Sequence, residues 1–261
     1  GLVGSEMCIR DRPMDSNKNV LDNARIKAAK STILKVIKDG GSVILMSHLG
    51  RPKGVSPDLS LQNIISAVEE VLGYKVIFAQ DSIGEDAQSK AAALKPGEIL
   101  LLENLRFHSE ETAGDEGFAK ALASLADVYI NDAFGTAHRA HASTTTIAQY
   151  FGQNKAVGNL LEQEIVAIDK VLKTGEKPVL AILGGSKVSS KITIIENILD
   201  KVDHLIIGGG MAYTFVKVKG GKVGNSICED DYLEYTLELL EKAKARNVQI
   251  PVSYTHLRAH E

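Results

Sequence analysis

Three loops of this sequence combine arginine and histidine with small residues, and each loop follows a short apolar run. They are Ser47–Gly54, Glu103–His108 and Asn131–Thr144. The small residues of the third loop allow its backbone to approach a ligand closely. Its arginine could bind a phosphate or a carboxylate through two parallel hydrogen bonds. Taken alone, the third loop is explained as well by a polar connection as by an anion site.

The elements before these loops help to decide between the two interpretations. Val43–Met46, Ile99–Leu102 and Val128–Ile130 are continuous apolar runs, which are typical of strands buried on both faces. Helical periodicity lies between them, as in Ala24–Lys38 and Ser60–Leu72. Strands that alternate with helices predict βαβ units and a mostly parallel sheet.

A parallel sheet brings the three basic loops to the same edge. Ligands of open parallel sheets bind outside the carboxyl ends of the strands. His48, Arg51, Arg106, His138 and Arg139 all lie within a few residues of such an end. Cations that met there without a partner would repel one another. The sequence therefore favours a small, multiply charged anion over plain surface charge.

Arg25 lies in the first turn of the predicted helix Ala24–Lys38, where the helix dipole is already positive. Its side chain either points into water or helps the helix terminus to attract an anion. Asp22 and Asn23 are good N-caps for this helix.

Two glycine-rich turns follow apolar strands in the second half of the chain. Gly184–Lys191 comes after Val179–Leu183, which we predict to be a buried strand, and could present backbone N–H groups to a phosphate. Gly208–Gly210 comes after Leu205–Ile207 and leaves room for a flat ring such as a nucleotide base, or for close helix packing. The first turn matches neither the P-loop nor the dinucleotide-binding pattern, which disfavours a Rossmann oxidoreductase.

Composition limits the class of protein. The chain has 261 residues, 44% of them hydrophobic, and a net charge of -3. This balance argues against general affinity for nucleic acids or anionic membranes. The two cysteines match no metal or disulfide framework, and no apolar run approaches the length of a membrane span. We therefore expect a cytoplasmic protein.

The two ends fit neither the periodicity nor the chemistry of the sequence between them. Residues 1–12 and 252–261 resemble translated sequencing-adapter read-through, and we expect both segments to be non-native and outside the fold. Cys8, His256 and His260 thereby lose any functional role.

Five motifs occur together in one order and spacing. The sequence closely resembles the phosphoglycerate kinase family in these motifs and over nearly all of residues 13–251. They are SHLGRPKG (Ser47–Gly54), LLENLRFH (Leu101–His108), NDAFGTAHRAHAST (Asn131–Thr144), AILGGSKVSSKI (Ala181–Ile192) and GGGMAYTF (Gly208–Phe215).

The resemblance implies an α/β protein of two Rossmann-like three-layer domains with mostly parallel sheets, the second one truncated. The triose-phosphate domain would span residues 13–158, an interdomain helix 159–175, and a partial nucleotide-binding domain 176–251. It implies a monomeric, hinge-bending enzyme of glycolysis, a phosphotransferase with a carboxyl group as acceptor. That enzyme interconverts 1,3-bisphosphoglycerate and ADP with 3-phosphoglycerate and ATP, the nucleotide carrying Mg²⁺.

Site residues follow from the resemblance, position by position. Arg25, His48, Arg51, Arg106 and Arg139 match the family's basic patch for the glycerate phosphate and carboxyl, with Leu49 and Gly50 between two of them. His138 is expected to help hold the substrate, and His141 to be structural. Lys187 and Lys191 match the lysines at the nucleotide phosphates, and Gly184, Gly185, Gly208, Gly209 and Gly210 match the nucleotide-binding loops. Arg25 and Lys187 are the expected catalytic residues, and no residue is predicted as a metal ligand.

Two parts of the family pattern are missing from the sequence. The opening Asp-Phe-Asn-x-Pro turn should precede Pro13, and the motifs for the ribose, the γ-phosphate and the metal should follow Pro251. We therefore expect the chain by itself to be inactive and its second domain to be unstable. The alternative is a phosphoglycerate-binding module that never turns over.

Overall fold

The structure, a computed structural model, describes residues 2–6, 23–137, 139–174 and 176–252. The chain divides into two compact units, Gly1–Ile165 and Val166–Glu261. This division falls inside the helix that we predicted as the interdomain connector, and the predicted domain limits remain predictions. Among the residues described, no helix is long and apolar enough to cross a membrane.

The first unit contains a six-stranded sheet in which every neighbouring pair is parallel, in the order β3-β4-β2-β1-β5-β6. Its strands are β1 (Leu2–Glu6), β2 (Ser42–Met46), β3 (Val76–Phe78), β4 (Ile99–Leu101), β5 (Val128–Asn131) and β6 (Lys155–Val157). Its helices are α1 (Ala24–Lys38), α2 (Ile65–Leu72), α3 (Glu85–Ala93), α4 (Ser109–Ala113), α5 (Glu116–Ala123) and the beginning of α6 (Asn159–Thr174).

Helices cover both faces of this sheet, as the continuous apolar strands predicted. Successive side chains of a strand point to opposite faces. Val43 and Leu45 accordingly join the core formed with α1 and α2, whereas Ile44 and Met46 join the core formed with α3 and α5. The predicted three-layer α/β architecture is confirmed.

Strand β1 is formed by residues that we expected to lie outside the fold. Leu2–Glu6 pairs with β2 on one side and β5 on the other, in the middle of the sheet. The two neighbouring strands therefore supply backbone hydrogen-bond partners to this segment on both of its sides. That residues 1–12 are non-native remains a prediction.

Several elements of the first unit differ from the sequence expectation. The predicted helix Ser60–Leu72 begins with a 3₁₀ turn over Leu61–Ile64, because the hydroxyl of Ser60 accepts a hydrogen bond from the Gln62 N–H at 3.1 Å. The short elements α4 and β6 were not predicted. Asp22 and His138 lie outside the described residues.

The beginning of α6 is fixed to the first unit by two buried side chains. Asp132 Oδ1 accepts hydrogen bonds from the backbone N–H groups of Leu160 and Leu161 at 3.0 and 3.1 Å. Thr32 Oγ1 accepts from the Asn159 N–H at 2.9 Å. These contacts satisfy N–H groups that have no partner inside the helix.

In the part of the chain that the structure describes, the second unit contains two parallel strands and three complete helices, besides the end of α6. They are β7 (Leu180–Gly184), α7 (Ile192–Ile198), β8 (His204–Gly208), α8 (Met211–Val218) and α9 (Leu233–Ala245). The predicted strand at Val248–Ile250 is present only as isolated bridges, His204–Gln249 and Ile207–Val252.

The prediction that Val179–Leu183 is a buried strand was wrong for one face of β7 in the described residues. Leu180 and Ile182 are 53% and 72% exposed. Ala181 and Leu183 pack instead against the core formed with β8 and the helices. The described core of this unit therefore lies on one face of β7.

Candidate anion and nucleotide sites

A cavity of about 860 Å³ in the first unit is lined by residues of all three basic loops. Arg51 comes from the loop after β2, Arg106 from the loop after β4, and Arg139 from the loop after β5. Lys53, His108 and His141 line the same cavity, together with the hydroxyl residues Ser109 and Thr112 and with Glu110. The cavity thus brings hydroxyl donors together with six groups that are cationic or can become cationic by protonation, as a small anion requires.

The loop after β2 is attached to the loop after β4 by Asn104. Its amide nitrogen donates to the carbonyls of Leu49 and Leu59 at 2.9 and 2.8 Å, and its Oδ1 accepts from the Leu49 N–H at 3.3 Å. Arg106 Nη1 donates to the Gly50 carbonyl at 2.8 Å. Arg106 is only 7% exposed, so its guanidinium is held between the two loops at the wall of the cavity.

The loop after β5 is fixed by its own hydroxyl groups and by a glutamate. Thr144 and Thr145 donate to the Arg139 carbonyl at 2.7 and 3.2 Å. Glu111 accepts from Ser143 through both oxygens, from Oγ at 2.6 Å and from the backbone N–H at 3.1 Å. Burial raises the pKa of Glu111, while the Ser143 hydrogen bonds and the Arg106 charge act in the opposite direction.

The second unit repeats this arrangement at its glycine-rich turn. Glu229 accepts from Ser189 through both oxygens, from Oγ at 2.6 Å and from the backbone N–H at 3.1 Å. Partial burial acts to raise the pKa of Glu229, but the hydrogen bonds from Ser189 and Val188 and the charge of Lys187 hold it below its ordinary value. The loop that carries Lys187 is thereby fixed, with the Lys187 side chain exposed.

The two glycine-rich turns of the second unit contact each other through their backbones. A Cβ added at Gly209 would lie 2.8 Å from the Gly185 carbonyl oxygen, and one added at Gly210 would lie 3.1 Å from the Ser186 carbonyl oxygen. Gly209 also has a positive φ of 71°. These two glycines therefore serve close packing of the turns, the second of the two roles that the sequence allowed.

Comparison with known proteins agrees with this arrangement. A sequence model of the family described as phosphoglycerate kinase matches residues 9–261. The chain belongs to the phosphoglycerate kinase family. The matched range extends into both terminal segments, so it leaves open whether those segments are native.

Individual phosphoglycerate kinases are similar over most of this chain. The protein of Porphyromonas gingivalis is 49% identical over 92% of this chain and 63% of its own length. Cytosolic phosphoglycerate kinase 3 of Arabidopsis thaliana is 50% identical over 95% of this chain and 63% of its own length. The structure of the Coxiella burnetii phosphoglycerate kinase has a TM-score of 0.79 at 37% identity and covers 96% of this chain and 62% of that one. The chain thus spans less than two thirds of the length of these relatives.

The structure brings together some of the residues matched to the family's basic patch and separates others. Arg51, Arg106 and Arg139 share the large cavity. His48 and Leu49 are 1% and 2% exposed and are not among its lining residues. They lie between β2 and the cavity loops. Gly50 contributes its carbonyl to Arg106.

Arg25 lies apart from these arginines. It lines a separate cavity of about 180 Å³ in the first unit, with Asp132, Phe134 and Glu164 among its neighbours. The first turn of α1 therefore does not bring Arg25 into the large cavity. Two carboxylates, from the loop after β5 and from α6, surround it instead.

Sequence reasoning missed several residues that line the cavity, among them Lys53, His108, Ser109 and Thr112. Lys53 follows Arg51 in a motif that we had already singled out, and its charge was the available signal. His141 was expected to be structural, yet it lines the cavity with only 8% of its surface exposed. Its approach to Glu111 joins positions 30 apart in the chain, which the local pattern could not indicate.

Among the described residues, no group of three His, Cys, Asp or Glu side chains could hold a metal ion. The glycine-rich turn of the second unit offers lysines and backbone N–H groups, which suit nucleotide phosphates rather than a cation. These residues fit a nucleotide, and Mg²⁺ commonly keeps its waters and is held by substrate phosphates.

We predict that Gly209→Ala destabilises the second unit much more than Gly220→Ala. Both glycines have a positive φ, 71° and 83°, which costs an alanine about 1–2 kcal/mol. Only at Gly209 would the new Cβ meet a backbone, since nothing lies within 4 Å of the Gly220 position. Overpacking should add roughly 1–3 kcal/mol at Gly209. Denaturant unfolding of the two variants measures the difference, and equal losses would contradict the close contact of the two turns.

Proposed function

We propose that this chain is the larger part of a glycolytic phosphoglycerate kinase, with the triose-phosphate site in the first unit and part of the nucleotide site in the second. The observation that carries the proposal is the convergence of Arg51, Arg106 and Arg139 on one cavity. A phosphorylated glycerate carries a phosphate and a carboxylate. Arginine forks bind both groups with two parallel hydrogen bonds.

The proposed reaction transfers a phosphoryl group between the carboxylate of 3-phosphoglycerate and the terminal phosphate of ADP. A carboxylate with a pKa of about 4 is already ionised at neutral pH, so the reverse direction needs no general base. What remains is to align the groups and to neutralise the charge on the moving phosphoryl group. Arg25 and Lys187 are the residues proposed for that charge, on closure of the two units around the substrates.

The second unit is proposed to bind ADP or ATP through the turns at Gly184–Lys191 and Gly208–Gly210. Lys187 and Lys191 would meet the phosphates, and Gly184 and Gly185 would allow their close approach. Mg²⁺ bound with the nucleotide would supply positive charge to the phosphates. The residues of this chain orient the phosphates and hold the lysines in place, as the clamp between Ser189 and Glu229 supports.

We further propose that the enzyme is cytoplasmic and monomeric and that it binds neither nucleic acids nor membranes. This is supported by the net charge of -3 and by the similarity to a cytosolic plant relative. The second candidate is a binding module that holds phosphoglycerate without turnover. The span of less than two thirds of the relatives' length favours this candidate for the chain by itself.

A coupled assay of ATP formation separates the two candidates. It is run on this chain and on a version extended at both ends to the full length of its relatives, with 1,3-bisphosphoglycerate and MgADP. We expect activity only in the extended version and binding of 3-phosphoglycerate in both. Inactivity of the extended version, despite a native fold, would overturn the kinase proposal.

A further inference from the structure

Glu111 is a buried carboxylate directly behind the wall of the large cavity. It is 1% exposed, and both of its oxygens accept hydrogen bonds from Ser143. Its backbone carbonyl also accepts from the Ala142 N–H at 2.9 Å. The segment from Arg139 to Ser143 is therefore attached to α4 through three hydrogen bonds to one residue.

The same carboxylate faces an imidazole that lines the cavity. Glu111 Oε1 lies 3.7 Å from His141 Nδ1, within ion-pair distance when the ring is protonated. His141 shares the cavity lining with Arg106 and Arg139. Glu111 thus lies behind the cationic residues that line the cavity. It contacts their loop through Ser143 and through His141.

We propose that Glu111 is a positioning residue of the anion site, one that fixes the Arg139–Ser143 segment and keeps His141 protonated at the cavity wall. The inference rests on the proposed function, because it assumes that the cavity holds 3-phosphoglycerate. Glu111 acts through Ser143 and His141, since its own side chain is buried behind the cavity.

The charges around His141 explain why such a residue is needed. The cavity lining adds Arg51, Lys53, Arg106 and Arg139, whose positive charges oppose protonation of a neighbouring imidazole. Glu110 and His108 also face the cavity. A carboxylate at Nδ1 favours the imidazolium, and the anion site then gains a further cation.

The neutral variant Glu111→Gln should make His141 prefer the neutral imidazole over the imidazolium, while it keeps the shape of the side chain at position 111. A carboxylate only accepts hydrogen bonds, whereas an amide presents one acceptor and one donor. If the amide oxygen accepts from the Ser143 N–H, the amide nitrogen occupies the position of Oε1 and faces His141 Nδ1. A donor at that position favours the unprotonated nitrogen. The imidazole therefore becomes neutral and the cavity loses one cation.

Titration calorimetry with 3-phosphoglycerate on the full chain tests the proposal. In the wild type, affinity should fall with rising pH, because the proposed imidazolium of His141 is present only at the acidic end. Glu111→Gln should bind roughly tenfold more weakly at the acidic end, since a charge-assisted hydrogen bond is lost. The two affinities should converge at the alkaline end. Because the ligand phosphate titrates in both experiments, the difference in affinity between the two proteins is the quantity to read.

Thermal unfolding of the same two proteins separates positioning from simple stabilisation. Burial raises the folded-state pKa of Glu111 above its unfolded value, so the folded state binds the proton more tightly. The contribution of Glu111 to stability therefore falls as the pH rises above the ordinary value of 4.5. The Tm of Glu111→Gln relative to that of the wild type should therefore rise from acidic to neutral pH, while its affinity for the ligand is lower. If Glu111 were merely structural, its replacement by glutamine would lower the Tm and the affinity for 3-phosphoglycerate together.

Two further variants complete the experiment. Glu116→Gln removes an equal charge from an exposed position on α5 and should leave affinity unchanged. His141→Gln should bind 3-phosphoglycerate as weakly as Glu111→Gln at the acidic end and should converge with the wild type at the alkaline end, and it keeps the test available if Glu111→Gln fails to fold. When Glu111→Gln and His141→Gln are combined, their losses of affinity for 3-phosphoglycerate should not add, as expected for residues that act as a unit.

The outcomes distinguish this inference from the proposed function. Wild-type affinity in Glu111→Gln at every pH would overturn the positioning role, and a loss that is equal at every pH would overturn the part of the proposal in which Glu111 keeps His141 protonated; both outcomes leave the proposed function intact. Additive losses in the double variant would overturn the positioning role as well. A wild-type chain that binds no 3-phosphoglycerate would instead refute the proposed function.

Discussion

Replacement of Arg106 by alanine should weaken binding of 3-phosphoglycerate by about a hundredfold to a thousandfold. A charge-assisted pair of hydrogen bonds contributes roughly 3–4 kcal/mol, and each 1.4 kcal/mol is a factor of ten in Kd. Arg106 also donates to the Gly50 carbonyl, so the loop after β2 loses a hydrogen bond at the same time. The variant should therefore bind the ligand more weakly, and the loop that carries Arg51 should be held less firmly.

Two companion variants show which property of Arg106 matters. Arg106→Lys keeps the charge but loses the planar fork, and we expect a loss of roughly tenfold. Arg246→Ala removes an exposed arginine of the second unit that pairs with Asp200, and it should bind normally. Calorimetry gives the affinities, and circular dichroism confirms that each variant is folded. An Arg106→Ala affinity within threefold of the wild type would remove Arg106 from the site.

The second large effect is expected on turnover rather than on affinity. In the chain extended to the length of its relatives, Lys187→Ala should lower kcat by about a hundredfold to a thousandfold, the loss seen when one preorganised donor to a transition state is removed. Lys187 is exposed in a loop that Ser189 and Glu229 fix. Its removal should therefore leave the folded structure and the binding of 3-phosphoglycerate unchanged.

Steady-state kinetics of three variants test this role. Lys222→Ala removes an equally exposed lysine from the same unit and is the matched control. Arg25→Ala should also lower kcat, with little change in the affinity of the first unit for 3-phosphoglycerate, because Arg25 lies outside the large cavity. Normal turnover in Lys187→Ala would show that the transferring group receives its charge from elsewhere.

Much of the site could be predicted from the sequence because the fold is repetitive. Each of Arg51, Arg106 and Arg139 follows an apolar strand, and a parallel sheet brings the ends of all its strands to one edge. The residue types and the fold class therefore sufficed to place them together. The same argument could not place Arg25, since it lies at the beginning of a helix whose orientation depends on tertiary packing.

The contacts that hold the site were beyond the sequence for a physical reason. Asn104 joins loops 55 residues apart, and Glu111 contacts Ser143 across 32 residues. A buried glutamate gives no local pattern, because its partners are chosen by the packing of the core. Backbone pairing also explains why Leu2–Glu6 could form a strand that its side chains did not predict.

The glycine-rich turns illustrate a case in which the sequence allowed two roles. Gly208–Gly210 could have faced a flat ring or permitted close packing. The backbone approach of Gly209 to Gly185 supplies the second role. The second role depends on the path of a neighbouring turn, which no local sequence signal encodes, whereas the first role stays part of the proposed nucleotide site.

The central claim is that the large cavity is a triose-phosphate site formed by three arginines. The most direct measurement follows the Nε–Hε resonances of the arginine side chains while 3-phosphoglycerate is added to the full chain. The account predicts saturable shifts for Arg51, Arg106 and Arg139, with Arg246 unmoved. Saturable binding that leaves these three resonances in place, or the absence of saturable binding, would contradict it.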